Sequence, residues 1–288
     1  MARLTAGGVA FDVDAVAFDK DGTLIDLDAA WGPAARAWVE TAAAGDAALL
    51  AELAARMGLD LDHDHLVAGG LFAVGTVGQL YETTLEVLGE HGSVDGEAVA
   101  DAARHTSALA GEKGNLVPLG EVAMALEVLR GEGIRLAIVS SDDRSAIDAA
   151  IIALGIGHLV EAVVAGDQGL DPKPAPDALI EAARMMGIAP SRMLYVGDSW
   201  VDAEAGRAAG VAGTVLVGDV APEVGELARV VVPAVDHLTP LRGGSAQRDQ
   251  DDAESGGGNG PDLRSAHVLA QEQTGGDDGD QHRGLSDP

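Results

Sequence analysis

"AVAFDKDGTLID", residues 15–26, decides how the chain reads. A short apolar run suited to a buried strand leads into Asp19 and Asp21, and Gly22-Thr23 then turns the chain. Side chains alternate along extended backbone, so Asp19 and Asp21 are expected on one side and Lys20 elsewhere. Two carboxylates at the end of a buried strand imply a ligand beyond that edge.

Working outward, residues 9–18 supply the first strand, and from about 27 to 112 the pattern turns helical, broken by Gly or Asp, with no convincing strand. After Pro118 alternation returns. Helices are expected at about 119–132, 143–154, 175–187 and 201–209. Between them lie the apolar runs "IRLAIVSS" (134–141), "LVEAVVAG" (159–166), "RMLYVGDS" (192–199) and "AGTVLVG" (212–218). Strands alternating with helices predict an α/β, Rossmann-like core with a parallel sheet covered on both faces. The core then takes residues 1–25 and 117–242, and residues 26–116 form an inserted all-helical cap. From 243 to 288 the sequence is Gly-, Asp- and Gln-rich with almost no large apolar residues, which reads as a disordered acidic tail.

The chain has 288 residues, 47% of them hydrophobic, enough for a real interior. It carries 18 basic against 47 acidic residues, which argues against a nucleic-acid or anionic-membrane partner. Genome bias and adaptation to high salt both fit this charge. With no cysteine, disulfides, thiolate metal sites and a cysteine nucleophile are excluded. No apolar run reaches a membrane-spanning length and the N-terminus has no basic-then-apolar leader, so a soluble, cytoplasmic protein is expected. Monomer and homodimer both stay open.

In an open parallel sheet ligands bind beyond the carboxyl ends of the strands. Following each strand there come Asp19 and Asp21, then Ser140 and Ser141, then Asp167 with Lys173, then Asp198 and Asp202. Carboxylates gathered at one edge repel one another unless a cation sits among them, and Mg²⁺ is the expected one, because it takes oxygen ligands and bridges to phosphate. With Asp19 ionised beside the metal and Asp21 able to hold a proton, one carboxylate attacks while the other handles protons.

"FDKDGTL" (18–24), Ser140 ending "AIVS", Lys173 within "DPKPAPD" and Asp198 and Asp202 in "VGDSWVD" resemble, in order, the four motifs of the haloacid dehalogenase superfamily, over about residues 10–220. The helical insert is similar to the cap of its phosphoglycolate phosphatase-like branch. The resemblance implies a Mg²⁺-dependent phosphatase acting on a small phosphorylated metabolite. Asp19 would be the nucleophile forming an aspartyl-phosphate, Asp21 the general acid and base, and Lys173 the charge-neutralising group. Asp19, the Asp21 carbonyl and Asp198 would hold the metal, with Asp202 completing its shell through water or orienting Lys173. Gly22, Thr23, Ser140, Ser141 and Lys173 would bind the phosphoryl group. Members that cleave carbon–halogen bonds lack the second aspartate, so Asp21 favours ester hydrolysis. A β-phosphoglucomutase-like transfer and a non-catalytic binding or regulatory module are the alternatives. Pro172, where Gly is usual, and the bulky Trp200 depart from the pattern.

Other features read as ordinary structure. "LDHDHL" (61–66) is expected to be a solvated loop rather than a second metal site, since two histidines two apart on a helix do not face each other. Trp31 and Trp38 are expected in the core, with a substrate-facing wall as the minority alternative. Arg36 and Arg56 could meet a second anionic group but are expected to be solvated.

Overall fold

The computed structural model describes residues 2–241 except 64, 94, 113 and 114; the expected tail, 243–288, lies outside the described residues. The chain opens with a hairpin, β1 (Ala2–Ala6) and β2 (Val9–Val13), followed by β3 (Ala15–Phe18). The insert then carries α1 (Leu27–Ala43), α2 (Ala47–Met57), β4 (Leu59–Asp60), β5 (His65–Leu66), α3 (Leu71–Val74), α4 (Val77–Glu90) and α5 (Gly96–His105), which runs into a 3₁₀ turn at Thr106–Gly111. The core resumes with α6 (Val122–Gly131), β6 (Arg135–Val139), α7 (Arg144–Leu154), β7 (Val160–Val164), α8 (Asp177–Met185), β8 (Met193–Gly197) and α9 (Trp200–Ala209). It closes with β9 (Gly213–Val217), α10 (Pro222–Gly225), β10 (Val230–Val232) and β11 (Leu238–Pro240).

Six strands form one parallel sheet in the order β10-β9-β8-β3-β6-β7. β3 is central because both its faces are covered, and each of its four residues is buried. The period of two sorts them: Val16 and Phe18 join Leu126, Leu129 and Ile147 on one face, whereas Ala15 and Ala17 join Leu179, Ala182 and Ala205 on the other. Small residues on that second face let α8 and α9 lie close.

Two departures from the sequence reading concern strands. Residues 9–18 are not one strand: the chain breaks at Asp14, and β2 pairs with β1 and not with the parallel sheet. β1 also pairs with β11, giving a separate antiparallel sheet, β11-β1-β2. The hairpin turns on Gly7 and Gly8, both at positive φ (52° and 83°), the geometry a two-residue primed turn needs and glycine supplies most readily. In the insert, the two-residue strands β4 and β5 pair antiparallel across the "LDHDHL" turn. They are too short to show a period of two.

The insert has its own core, in which Trp38, Leu53, Met57, Leu80 and Val87 are buried. Trp38 Nε1 donates to Thr84 Oγ1 at 2.9 Å, Thr84 Oγ1 donates to the Leu80 carbonyl at 2.8 Å, and Phe72 meets the Trp38 ring edge-on with centroids 6.3 Å apart. Asp26 caps α1 by accepting from the Ala29 amide at 2.8 Å, and Thr76 and Gln79 form a reciprocal capping box on α4. Where the chain leaves and re-joins the sheet the two crossings pair: Asp26 N donates to Val117 O (2.8 Å) and Leu119 N to Leu24 O (3.0 Å). No described helix is long and apolar enough to cross a membrane.

Candidate active site

β3 stops at Phe18, and the Asp19 amide donates to Val196 O (2.8 Å) of the neighbouring β8. That bond sets Asp19 beside the loop carrying Asp198 and the first turn of α9, which carries Asp202. Carboxylate oxygens of Asp19, Asp198 and Asp202 all lie within 4.8 Å of one another, the one such acidic group among the described residues. Lys173 reaches in from the loop before α8, despite Pro172, and its Nζ bonds Asp19 Oδ1 and, at 2.7 Å, Asp202 Oδ1. The Lys173–Pro174 peptide is cis.

Asp202 is saturated by protein donors. Besides Lys173 it accepts from Tyr195 Oη (2.7 Å), the Ser199 amide (3.1 Å) and the Ser199 hydroxyl. Of the two roles left open for it, orienting Lys173 is the one this geometry serves. Burial would raise the Asp202 carboxyl, but Lys173, Ser199 and Tyr195 outweigh it and hold the carboxyl below its usual range. Burial pushes Asp19 up to about 7 even against the Lys173 charge, with Asp202 adding to the push. It pushes Asp198 well above the ordinary range, again with Asp202 and Asp19 contributing. Lys173, whose burial alone would lower it, is held well above its ordinary value by Asp19 and Asp202.

Three carboxylates around one ammonium leave excess negative charge out of water, and the raised Asp19 and Asp198 register it. With Asp202 taken by protein donors, the carboxylate oxygens of Asp19 and Asp198 are the ones that fit a hard divalent cation. Gly22 belongs to the same construction. Its φ is +72°, and a Cβ built there would come 2.2 Å from Asp198 Oδ2, so the turn after the aspartate pair needs glycine for its conformation and for room.

Lys20 corrects the sequence reading. Alternation ends with the strand at Phe18, and the Lys20 side chain, only 1% exposed, folds back to donate to Asp21 Oδ1 at 2.6 Å. Its Nζ also lies 2.9 Å from Asp142 Oδ2, an ion pair whose geometry is not that of a hydrogen bond. Asp19 and Asp21 therefore line one cavity with different partners, Asp19 with Lys173 and Asp21 with Lys20. Burial, opposed by Lys20 and aided by Asp142, places the Asp21 carboxyl at about 6. Asp142 escaped the sequence reading, although its place directly after Ser140-Ser141 was a usable signal.

The cavity also takes in Ser140, Ser141 and Asp198, and is covered from the insert by Phe72 through Gly75. Ser140 Oγ accepts from the Asp142 amide (3.2 Å). Gly22 and Thr23 do not line it; Thr23 is fully buried, its hydroxyl without a hydrogen-bond partner among the described residues. Asp167 lies off the acidic group, in the 3₁₀ turn Gly166–Gln168. His63 and His65 bond Asp60 and Asp28 on exposed surface. Arg36 donates to Glu40 and the Leu61 carbonyl, and Arg56 to Glu52 and Glu90. Trp31 and Trp38 are both buried in the insert's core as expected, and Trp31, 5% exposed, also walls the cavity. Trp200 is 39% exposed and lies against Gly69 of the insert.

A phosphoglycolate phosphatase from Shigella boydii is 38% identical over 107 residues, 37% of this chain and 42% of that protein. One from Cupriavidus necator is 35% identical over 115 residues, 40% of this chain and 49% of that protein. The chain thus matches less than half the length of these curated relatives. Among solved structures, a β-phosphoglucomutase from Clostridium difficile superposes with a TM-score of 0.58 at 17% identity, covering 78% of this chain and 92% of that one. A hydrolase from Pseudomonas syringae gives 0.56 at 20% identity, with 77% and 94% covered. These two share the fold. A family model for haloacid dehalogenase-like hydrolases matches residues 13–210, which include every strand of the parallel sheet but β9 and β10 together with Asp19, Lys173, Asp198 and Asp202, and the chain belongs to that family.

Proposed function

We propose that this protein is a Mg²⁺-dependent phosphatase that hydrolyses a small phosphorylated metabolite through an aspartyl-phosphate on Asp19. The observation that carries this reading is the separation of the two aspartates: one cavity holds Asp19 on Lys173 and Asp21 on Lys20. In the first step a carboxylate oxygen of Asp19 forms a bond to phosphorus as the ester P–O bond breaks, and Asp21 gives its proton to the leaving alkoxide. In the second, Asp21 takes a proton from water as the water oxygen attacks phosphorus, releasing phosphate and restoring Asp19. Lys173, anchored by Asp202, neutralises charge on the transferring group, and the Ser140 hydroxyl and amides near Ser141 donate to its oxygens.

Asp19, the Asp21 carbonyl and Asp198 would hold Mg²⁺, which supplies positive charge to the phosphoryl oxygens. The curated relatives named phosphoglycolate phosphatase support ester hydrolysis. So does the second aspartate, which a leaving group needing no proton would not require. The test is phosphate release from p-nitrophenyl phosphate. Turnover should need Mg²⁺, stop with EDTA and fall by about 10³-fold or more in Asp19→Asn, about 4 kcal/mol of barrier. Turnover unchanged in that variant would remove Asp19 as nucleophile.

A further inference from the structure

Two cavities meet where the insert faces the sheet. The one around Asp19 measures about 20 Å³, room for about one water molecule. The other, about 530 Å³, runs between the end of α5 with its 3₁₀ turn and the start of α7. Trp31 and Asp142 line both, so they stand at the passage between them. The small cavity has no space for the organic part of an ester whose phosphorus meets Asp19, and the larger cavity lies just beyond that passage.

We propose that the leaving group is a neutral, polyhydroxylated group of sugar size seated in the larger cavity, and not the two-carbon carboxylate glycolate. The proposal rests on the phosphatase reading above and names its substrate class. Size is the first argument. Glycolate occupies no more than roughly 150 Å³ on the ~30 Å³ that one water takes in the liquid, and would leave most of the larger cavity to solvent. A cavity above about 300 Å³ is of the size that encloses a whole small-molecule ligand.

Charge is the second argument, independent of the first. Asp142, Asp143 and Glu112 line the larger cavity against Arg104 and His105. Arg104 is already engaged: it donates to Asp101 at 2.8 Å and stacks over the Tyr81 ring at 5.2 Å. Burial and the charges of Asp167 and Asp142 push the Asp143 carboxyl above its ordinary value, so the wall resists more negative charge. Asp142 has its counter-charge in Lys20, so a carboxylate on the leaving group would chiefly face Asp143 and Glu112. Hydroxyl groups fit instead, because each can donate to a carboxylate while accepting from a guanidinium, imidazole or serine. Ser107 and Ser145 on opposite walls supply both functions, and Trp31, Val77, Ala108 and Ala149 add apolar lining for the C–H side of a sugar.

The experiment is steady-state kinetics of the full chain with Mg²⁺ on p-nitrophenyl phosphate, phosphoglycolate, ribose 5-phosphate, glucose 6-phosphate and AMP, in wild type and in Ala146→Phe, which narrows the larger cavity. At least one sugar phosphate should exceed both phosphoglycolate and AMP by about tenfold or more in kcat/KM, and Ala146→Phe should lower its ratio to phosphoglycolate by about tenfold. Should that variant fail to fold, the wild-type ratios decide. Preference for phosphoglycolate or AMP, or a ratio that Ala146→Phe leaves unmoved, would overturn the proposal while p-nitrophenyl phosphate turnover keeps the phosphatase reading. Loss of all turnover, p-nitrophenyl phosphate included, would overturn both.

Discussion

Lys20 shows what a single residue decides in this protein. By sequence it separates the two aspartates; in the fold it is the buried cation that holds Asp21 and Asp142. Replacing it with methionine keeps the volume and leaves two buried carboxylates without their counter-charge. Breaking a buried pair in this way costs about 3–5 kcal/mol, so Lys20→Met should lose about 3 kcal/mol of unfolding free energy in urea at neutral pH. A loss below about 1 kcal/mol would show that the pair holds nothing together. The acidic residues at the strand ends were legible because their positions follow from where strands stop. The direction of the Lys20 side chain was not, because beyond Phe18 the backbone turns and the period of two no longer applies.

At the scale of elements, β3 and β8 are joined at their entry as well as at the site. Arg192, just before β8, pairs with Asp14, just before β3, and the Asp14 amide donates to Arg192 O at 2.8 Å. The Arg192 side chain holds the Asp14 carboxyl below its ordinary range. The folded chain thus binds fewer protons there than the unfolded chain does. The pair's contribution to stability is full above about pH 4, the unfolded value, and is lost as pH falls through the lower folded value. Asp14→Asn should lower Tm at pH 7, and its gap from wild type should close as pH is brought to 3 or below; a gap that widens on acidification would reverse the sign argued here. Element positions in the parallel core were legible from apolar runs bounded by Gly and Pro. β1, β2 and β11 were not, because an antiparallel sheet joining the two ends of the core depends on a pairing more than 200 residues apart. The Gly7-Gly8 turn was the local signal for its hairpin.

For the whole molecule, Asp19 and Asp21 follow β3 and Asp198 follows β8, and a cation held by them would tie those two strand ends together. A ligand that binds only the folded state stabilises it by about 2.7 kcal/mol at a hundred times its Kd. For a chain of this size that is roughly 5–10 °C in Tm. Saturating Mg²⁺ should raise Tm by about that much, and Asp198→Asn should remove most of the shift without abolishing folding. A wild-type Tm indifferent to Mg²⁺ would count against the proposed metal site.

The sequence by itself determined the strand–helix alternation, a mainly helical insert between the first two motifs, and that Asp19, Asp21, Lys173, Asp198 and Asp202 stand at the sheet's carboxyl edge. Each of these depends on patterns within a few residues, where backbone periodicity governs. The tertiary structure alone decided that Asp202 serves Lys173, that Lys20 serves Asp21, and that Trp31 and Asp142 stand between a small cavity and a large one. Those pairings join side chains from elements far apart in the chain, and their directions are fixed only when the sheet, its turns and the insert pack together.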